Sequence, residues 1–476
     1  MRRVLTTTVL LTVSTAALRS SAVRTRSICR MSVSEAREAT LNTLVTPALV
    51  VEKGAYLRNI SRLRGLMANY PSVAIRPHAK AHKSGTLAAT QLEALGPQAV
   101  GVCVQTVREA EEMVKAGVPD VLVTNQVVTA EKLNRLVGLA KTPGVAHLGV
   151  LVDTDEGLDA LLRHCCDREA GGQVVSVWVE VDAGQGRCGV PAPPESEAVL
   201  HLARRILDAE GSGGRAVRFG GLQVYHGAIQ FKRGVERRAE VEAGPVRAAR
   251  AARELLEANG ITVPAVSGGG TGTMLLEAAA GAHTEVQPGS YVFMDSVYGA
   301  ALVDESPPVE EAAAEAAAFE QSLFVAATVI SRQDYFDGQG QAAAAAAVGT
   351  GAAAPGEQRR LRRRLVVDAG TKAVDQLAGP PVVWNWAEGR PAKGMSYRCG
   401  GDEHGILEGP ALDLQADSEG RENGRCIGVG DTVYLQPSHC DPTVNLHDQF
   451  LFVTRERDGG LALSELIEIG ARGPGC

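Results

Sequence analysis

Between residues 47 and 295, short apolar runs alternate with amphipathic segments eight times, and this alternation constrains the fold more than any other feature. The runs are Val73–Lys80, Ala99–Val104, Asp120–Asn125, His147–Asp153, Val174–Asp182, Gly221–His226, Ala265–Gly270 and Thr284–Tyr291. The spacing predicts helices between them, for example over Thr106–Ala116, Ala130–Leu139 and Glu195–Leu207. Strand–helix repetition makes a parallel α/β sheet, and eight repeats is the number in a (β/α)8 TIM-type barrel, here over residues 46–300. A doubly wound open sheet shows the same alternation, because counting strands does not show closure. After Ser322 helical periodicity fades. Leu323–Ser331, Leu365–Ala369, Thr432–Gln436 and Gln449–Thr454 read as strands between Gly-rich turns, so a C-terminal β domain is expected over residues 320–476. Thr46–Val51 reads as a strand leading in from that second domain.

A chain of 476 residues suits two domains, and its net charge of −7 argues against a nucleic-acid or anionic-membrane surface. Its nine cysteines are scattered, odd in number and without a CxxC pair. That pattern suggests neither a disulfide framework nor a structural zinc site, and fits a reducing compartment. Residues 1–34 carry Arg2, Arg3, Arg19, Arg24, Arg26 and Arg30, many Ser and Thr, and no acid before Glu35. Residues 1–40 therefore read as a removable targeting segment for a chloroplast or mitochondrion, with a signal peptide as the rival. No apolar stretch is long enough to span a bilayer. Glu305–Ala318 reads as an exposed insertion, and residues 338–364, an Ala run followed by an Arg cluster, as a solvated low-complexity loop.

Three stretches carry residues suited to chemistry. In Arg76-Pro77-His78-Ala79-Lys80-Ala81-His82-Lys83 an extended backbone points Arg76, His78 and Lys80 to one side, with Lys83 past the strand end. A lysine whose pKa is lowered by desolvation and neighbouring cations is a catalytic amine; a basic strand end in solvent is the plain alternative. Ser267-Gly268-Gly269-Gly270-Thr271-Gly272-Thr273 ends strand seven and opens the helical pattern Met274–Ala280. Such a loop cradles an anion or is simply a Gly-rich turn, and the loops after strands seven and eight are where barrels often hold phosphate. Gln287–Tyr291, after strand eight, adds donors, Ser290 and Tyr291 among them. In a closed barrel strand one adjoins strand eight, so Lys80 lies within reach of this cradle. A phosphorylated aldehyde bridging the two is pyridoxal phosphate, held as a Schiff base. Finally, His439 and Asp441 lie two apart. An imidazole and a carboxylate on one side suit Mn²⁺, Mg²⁺ or Zn²⁺, though H-x-D by itself also describes a hydrogen-bonded turn.

The chain resembles the fold-type III pyridoxal-phosphate enzymes, the alanine racemase-like barrel plus β domain, and within them the D-threonine aldolase and D-serine dehydratase group. The resemblance is carried by RPHAKAHK (76–83), VDAGQGRCGV (181–190), GLQVYHG (221–227), SGGGTGT (267–273), QPGSYVFMD (287–295), DEHG (402–405) and HCDPTVNLHD (439–448). It implies that Lys80 holds the cofactor, with Arg187, Tyr225, Ser267, Gly269, Gly270, Thr271, Gly272, Ser290 and Tyr291 around it. It implies His439 and Asp441 as metal ligands; the group's dehydratases carry His-x-Cys for zinc, its aldolases His-x-Asp for manganese or magnesium. The candidates for the base that takes the β-hydroxyl proton are His82, His226 and metal-bound water, with His82 alternatively a support for the site; Tyr225 is expected near the cofactor ring and His226 near the substrate. Tyr225 and His226 are adjacent, so a strand directs only one into the barrel mouth. His404 is either a supporting partner or an ordinary loop histidine, and Lys83 is expected to be a bystander. The implied reaction is metal-activated retro-aldol cleavage of D-3-hydroxy amino acids such as D-threonine to glycine and an aldehyde, by a homodimer. The alternatives are a D-serine or D-3-hydroxyaspartate dehydratase and a non-catalytic pyridoxal-phosphate-binding protein.

Overall fold

A computed structural model describes residues 44–165, 174–212, 216–302, 319–336, 361–386, 388–410, 427–455 and 461–475. The targeting segment 1–40, the insertion Glu305–Ala318 and residues 338–360 lie outside the described residues. β1 (Ala48–Glu52) is buried throughout and does not join the barrel. It pairs with strands from the far end of the chain, as its position before the barrel predicts. Glu52 then caps the first helix, Lys53–Met67, accepting from the amides of Gly54 and Ala55.

Eight parallel strands follow: β2 (Ala74–Ile75), β3 (Val102–Val104), β4 (Asp120–Gln126), β5 (His147–Val152), β6 (Val175–Glu180), β7 (Val217–Gln223), β8 (Val266–Gly268) and β9 (Glu285–Val286). They run in the order β2-β9-β8-β7-β6-β5-β4-β3. The two ends of that order meet. Bridges join Ile75 to Ala99 and His78 to Cys103, with Val100 N donating to Ile75 O at 3.0 Å and Cys103 N to Pro77 O at 2.9 Å. Closure decides for the barrel over the open sheet. The helices Val107–Lys115, Ala130–Ala140 and Ala198–Ser212 form where the apolar periodicity predicts.

One expectation about the first strand needs correcting. Lys80 is not on the strand. Ladder bonding extends to His78, whose amide donates to Pro288 O at 2.9 Å. The chain then tightens into a single 3₁₀ turn, Ala79–Ala81, capped by His78 Nδ1, which accepts from Lys80 N at 3.3 Å. At the opposite end of this segment Arg76 is buried in the barrel base. Its guanidinium donates to Glu285 at 2.8 and 3.2 Å and to Asp120 at 2.6 Å.

The second sheet has ten strands. Besides β1 it holds β10 (Leu323–Phe336), β11 (Leu361–Val367), β12 (Val382–Asn385), β13 (Arg390–Pro391), β14 (Ser396–Cys399), β15 (Gly405–Pro410), β16 (Thr432–Gln436), β17 (Gln449–Arg455) and β18 (Leu461–Glu468). A bulge between Val329 and Ser331 marks where the long β10 passes from pairing with β16 to pairing with β11. The Arg cluster is also corrected. Arg362, Arg363 and Arg364 lie in β11 rather than in a solvated loop. Arg363 is buried against Asp334, and Arg364 donates to Glu408 at 2.7 Å. Aromatic rings join the two units: Tyr56 packs on Phe293 at 6.1 Å and on Phe452 at 5.3 Å, and Phe293 on Phe450 at 5.3 Å. That seam holds the loop after β16 over the barrel mouth.

Replacing Arg76 with Met leaves Glu285 and Asp120 buried without their cation. Destabilisation of about 3–5 kcal/mol in denaturant unfolding is expected, the usual cost of removing one partner of a buried ion pair.

Candidate active site at the barrel mouth

The Lys80 turn faces the short helix Cys440–Val444, which the β domain contributes just after β16. Lys80 Nζ lies 3.5 Å from Asp441 Oδ2. His439 is the extended cap of that helix, with φ −134° and ψ 130°, and its Nε2 lies 3.9 Å from the same carboxylate oxygen. Ser290 Oγ and Cys440 Sγ each donate to Asp441 Oδ1 at 3.3 Å.

Behind His439 sits Asp295, fully buried. Its Oδ2 accepts from the His439 Nδ1 position at 2.9 Å and from Cys440 N at 3.0 Å, while its Oδ1 accepts from Tyr298 N at 2.8 Å. A carboxylate only accepts, so Nδ1 carries a proton, and Nε2 is the ring nitrogen on the Asp441 side. Asp295, His439 and Cys440 bring possible ligand atoms within 4.8 Å of one another. The bonds of Asp295 assign it to orienting the imidazole, and leave His439 Nε2 with Asp441 as the pair open to a cation.

The charges are strongly coupled. Burial works against an ionised Asp441, but the Lys80 ammonium and His439 pull its pKa down to about 2. Burial likewise works against the Lys80 ammonium, and Asp441 more than offsets it, holding Lys80 above the ordinary lysine range. The expectation of a lowered lysine pKa is therefore not met: the facing group is a carboxylate rather than a second cation. For His439, burial is outweighed by the Asp295 bond, and its pKa is raised.

The glycine loop adjoins the lysine turn. A Cβ on Gly289 would stand 3.1 Å from His78 O. Thr271 Oγ1 accepts from the amides of Gly289 and Tyr291, both at 3.2 Å, which clips the loop after β9 to the loop after β8. Side chains at Gly270 and Gly272 would strike Gln230, at 2.5 Å from Oε1 and 2.2 Å from O. Gln230 itself braces the loop, accepting from Gly272 N at 3.0 Å and donating to Thr273 Oγ1 at 2.9 Å. Gly269 takes φ +73°, in the left-handed region open to glycine. The amides of Thr271 and Ser290 donate to no acceptor among the described residues. Free donors beside a lysine fit a phosphorylated aldehyde. Tyr225 neighbours Lys80, and the Arg187 guanidinium lies 5.8 Å over the Tyr225 ring.

Other expected site residues are placed elsewhere. Ser267 is fully buried, donating to Glu285 at 3.0 Å and accepting from Gln287 at 2.8 Å, below the loop. The Tyr291 ring lies in the inter-sheet core against Phe319 at 5.7 Å, so only its backbone reaches the cradle. The charges acting on His226 are Glu240, Asp182 and Lys232, whereas Tyr225 lies beside Lys80; both residues follow the end of β7. His82 Nδ1 accepts from Ser84 N at 3.2 Å, and burial lowers its pKa to about 4. Its Nδ1 is used in supporting the turn, and its buried Nε2 has no hydrogen-bond partner among the described residues. His404 sits in an exposed loop away from the cluster. Lys83 is no bystander. At φ 51°, its Nζ reaches Asn445 Oδ1 at 2.7 Å and Glu109 at 3.4 Å, tying the Asp441 helix to the lysine turn. Asp295 closes the motif QPGSYVFMD, yet nothing local to that motif signals its bond to His439.

His82 sets a pH dependence of stability. The unfolded chain protonates it near 6.5 and the folded chain only near 4. Its contribution is thus complete above the unfolded value and shrinks as pH falls, by up to ~3 kcal/mol at roughly 1.4 kcal/mol per pH unit. Denaturant unfolding between about pH 7 and about pH 5 is expected to show this slope, and His82→Gln to reduce it, with the buried His283, also lowered to about 4, leaving a remainder of the same sign.

Residues 51–297 match the family model for the alanine racemase N-terminal domain, and residues 322–453 the model for a putative serine dehydratase domain. The chain is 37% identical over 428 residues to a D-threonine aldolase of an Arthrobacter species, covering 90% of this chain and 93% of that one. It is 33% identical over 431 residues to a 3-hydroxy-D-aspartate aldolase of Paracoccus denitrificans, covering 90% and 92%. Among solved structures it is similar to the D-threonine aldolase from Filomicrobium marinum, with a TM-score of 0.69, 31% identity, and coverage of 92% of this chain and 98% of that one. Matched through barrel and β domain alike, the chain belongs to the alanine racemase-like, fold-type III pyridoxal-phosphate enzymes, in the group that includes the D-threonine aldolases.

Proposed function

We propose that this chain cleaves D-threonine and related D-3-hydroxy amino acids to glycine and an aldehyde, with pyridoxal phosphate and a divalent cation. The observation that carries this reading is the acid–imidazole pair facing the lysine: His439 Nε2 and Lys80 Nζ approach the same oxygen of Asp441, from 3.9 and 3.5 Å. Lys80 would hold the cofactor's aldehyde, the amides of Thr271 and Ser290 its phosphate, and Tyr225 with Arg187 would flank its ring. The cofactor supplies the electron sink for the pair left on Cα when the Cα–Cβ bond breaks. The cation would sit on His439 Nε2 and Asp441, where it acidifies the substrate's β-hydroxyl.

The chain's own residues set the conditions for that cleavage. Asp295 fixes the tautomer and direction of His439. Ser290 and Cys440 hold one oxygen of Asp441, which leaves the other turned toward His439 and Lys80. The hydroxyl proton passes to water or to the Lys80 amine as the Cα–Cβ bond breaks and the aldehyde departs, and that carrier returns one proton to Cα to complete glycine. A carboxylate at position 441 is a hard ligand that suits Mn²⁺ or Mg²⁺, where a thiolate would favour Zn²⁺. This favours the aldolase over the dehydratase.

Purified protein given pyridoxal phosphate and Mn²⁺ is expected to release acetaldehyde and glycine from D-threonine. Pyruvate and ammonia from D-serine, without aldehyde from D-threonine, would overturn the reading. Lys80→Ala is expected to abolish the visible absorbance of bound cofactor. Asp295→Asn is expected to weaken metal activation about 10–100-fold in a cation titration, the usual effect of removing a carboxylate behind a ligating histidine.

A further inference from the structure

We propose that Phe231 and Tyr298 form the wall that receives the substituent on the substrate's β-carbon, selecting an apolar group over a carboxylate; this rests on the aldolase reading above. Phe231 ends the short turn Ala228–Phe231 beyond β7 and is 40% exposed. Its ring packs on Tyr298 at 5.0 Å and on His439 at 5.9 Å, and Tyr298 lies 6.2 Å from His439. Three rings thus meet edge to face or tilted, and the one with the free face is Phe231. An exposed aromatic of this size beside a half-enclosed imidazole is not needed by the core.

The wall is built into the same scaffold as the site. Tyr298 N is bonded to Asp295, the carboxylate that holds His439. The neighbour of Phe231, Gln230, is bonded at both ends of its amide to the glycine loop. Phe231 is therefore fixed between the cradle and the His439–Asp441 pair. The β-carbon of a 3-hydroxy amino acid carries the hydroxyl and one further substituent. Directing the hydroxyl to His439 and Asp441 places that substituent one bond away, against the rings beside His439.

The charges nearby reject an anionic substituent. Asp441 and Asp295 both face His439. The cation next to Phe231, Lys232, is paired with Glu240. Arg187 stands over Tyr225, with Glu180 at 4.0 Å. A carboxylate against the wall would lose water and meet ring faces, and the nearby cations Lys232 and Lys80 are already engaged by Glu240 and Asp441, whereas a phenyl or alkyl group exchanges water for aromatic contact.

The test uses the full chain with pyridoxal phosphate and Mn²⁺, comparing kcat/KM for D-3-phenylserine, D-threonine, D-serine and 3-hydroxy-D-aspartate. The expected result is a preference of at least about tenfold for the phenyl over the carboxylate substituent, the scale on which an apolar pocket discriminates. Phe231→Ala is expected to lower the phenylserine value about tenfold more than the D-serine value, and Phe231→Leu to retain most of it. Absorbance titration of bound cofactor gives a readout without turnover: D-phenylalanine is expected to bind more tightly than D-aspartate, and Phe231→Ala to narrow the gap. Equal or faster cleavage of 3-hydroxy-D-aspartate, or an equal loss on all substrates in Phe231→Ala, overturns the wall. Absence of aldehyde from every substrate overturns the aldolase reading and the wall together.

Discussion

One buried carboxylate, Asp295, joins the barrel to the β domain at the point where chemistry is possible. It closes the loop after the last barrel strand, yet its hydrogen bonds run to His439 and Cys440 of the second sheet. A fully buried carboxylate is costly unless its lone pairs are met, and here an imidazole and two backbone amides meet them. Satisfying that charge obliges the helix carrying Asp441 to sit over the mouth. Together with the Lys83–Asn445 bond, this anchoring places Lys80 against Asp441 and the Phe231 and Tyr298 rings against His439.

The barrel axis is organised as a sequence of polar layers on one segment. Arg76 neutralises two acids at the base, His78 caps the turn in the middle, and Lys80 projects at the mouth. Pro77 lacks an N–H and so gives nothing to the ladder, but its carbonyl still receives Cys103 N and helps close the barrel. Burial holds His78 well below the usual imidazole range, so it is neutral beneath the charged lysine. Two paired cations thus lie four residues apart on one segment, Arg76 with two acids at the base and Lys80 with Asp441 at the mouth.

The eight strands and most named helices were legible because burial of both sheet faces imposes long apolar runs, and amphipathic helices between them impose a different period. The second sheet was less legible. β12 to β15 are short, partly polar and bounded by turns, so neither period develops in them, and β11 was legible only from Leu365 on, its first half hidden by a run of arginines. Within the site, Tyr225 and His226 part company, but beyond the end of β7, so strand alternation did not say which one enters. It also could not tell that Tyr291 turns its ring into the core, nor that Ser267 spends its hydroxyl on Glu285.

By itself the sequence determined the repeating α/β architecture, the trailing β domain, the lysine segment, the glycine loop and the His-x-Asp pair. These are local patterns of period, spacing and residue type, which a chain displays without folding. Only the tertiary structure decided that the sheet closes, that Lys80 faces a carboxylate and keeps a raised pKa, and that Asp295 and Phe231 lie against His439 and Lys83 against Asn445. Those outcomes depend on residues far apart in the chain approaching within a few ångströms, and on the burial that makes each unpaired charge costly. Neither separation nor burial is encoded at any one position.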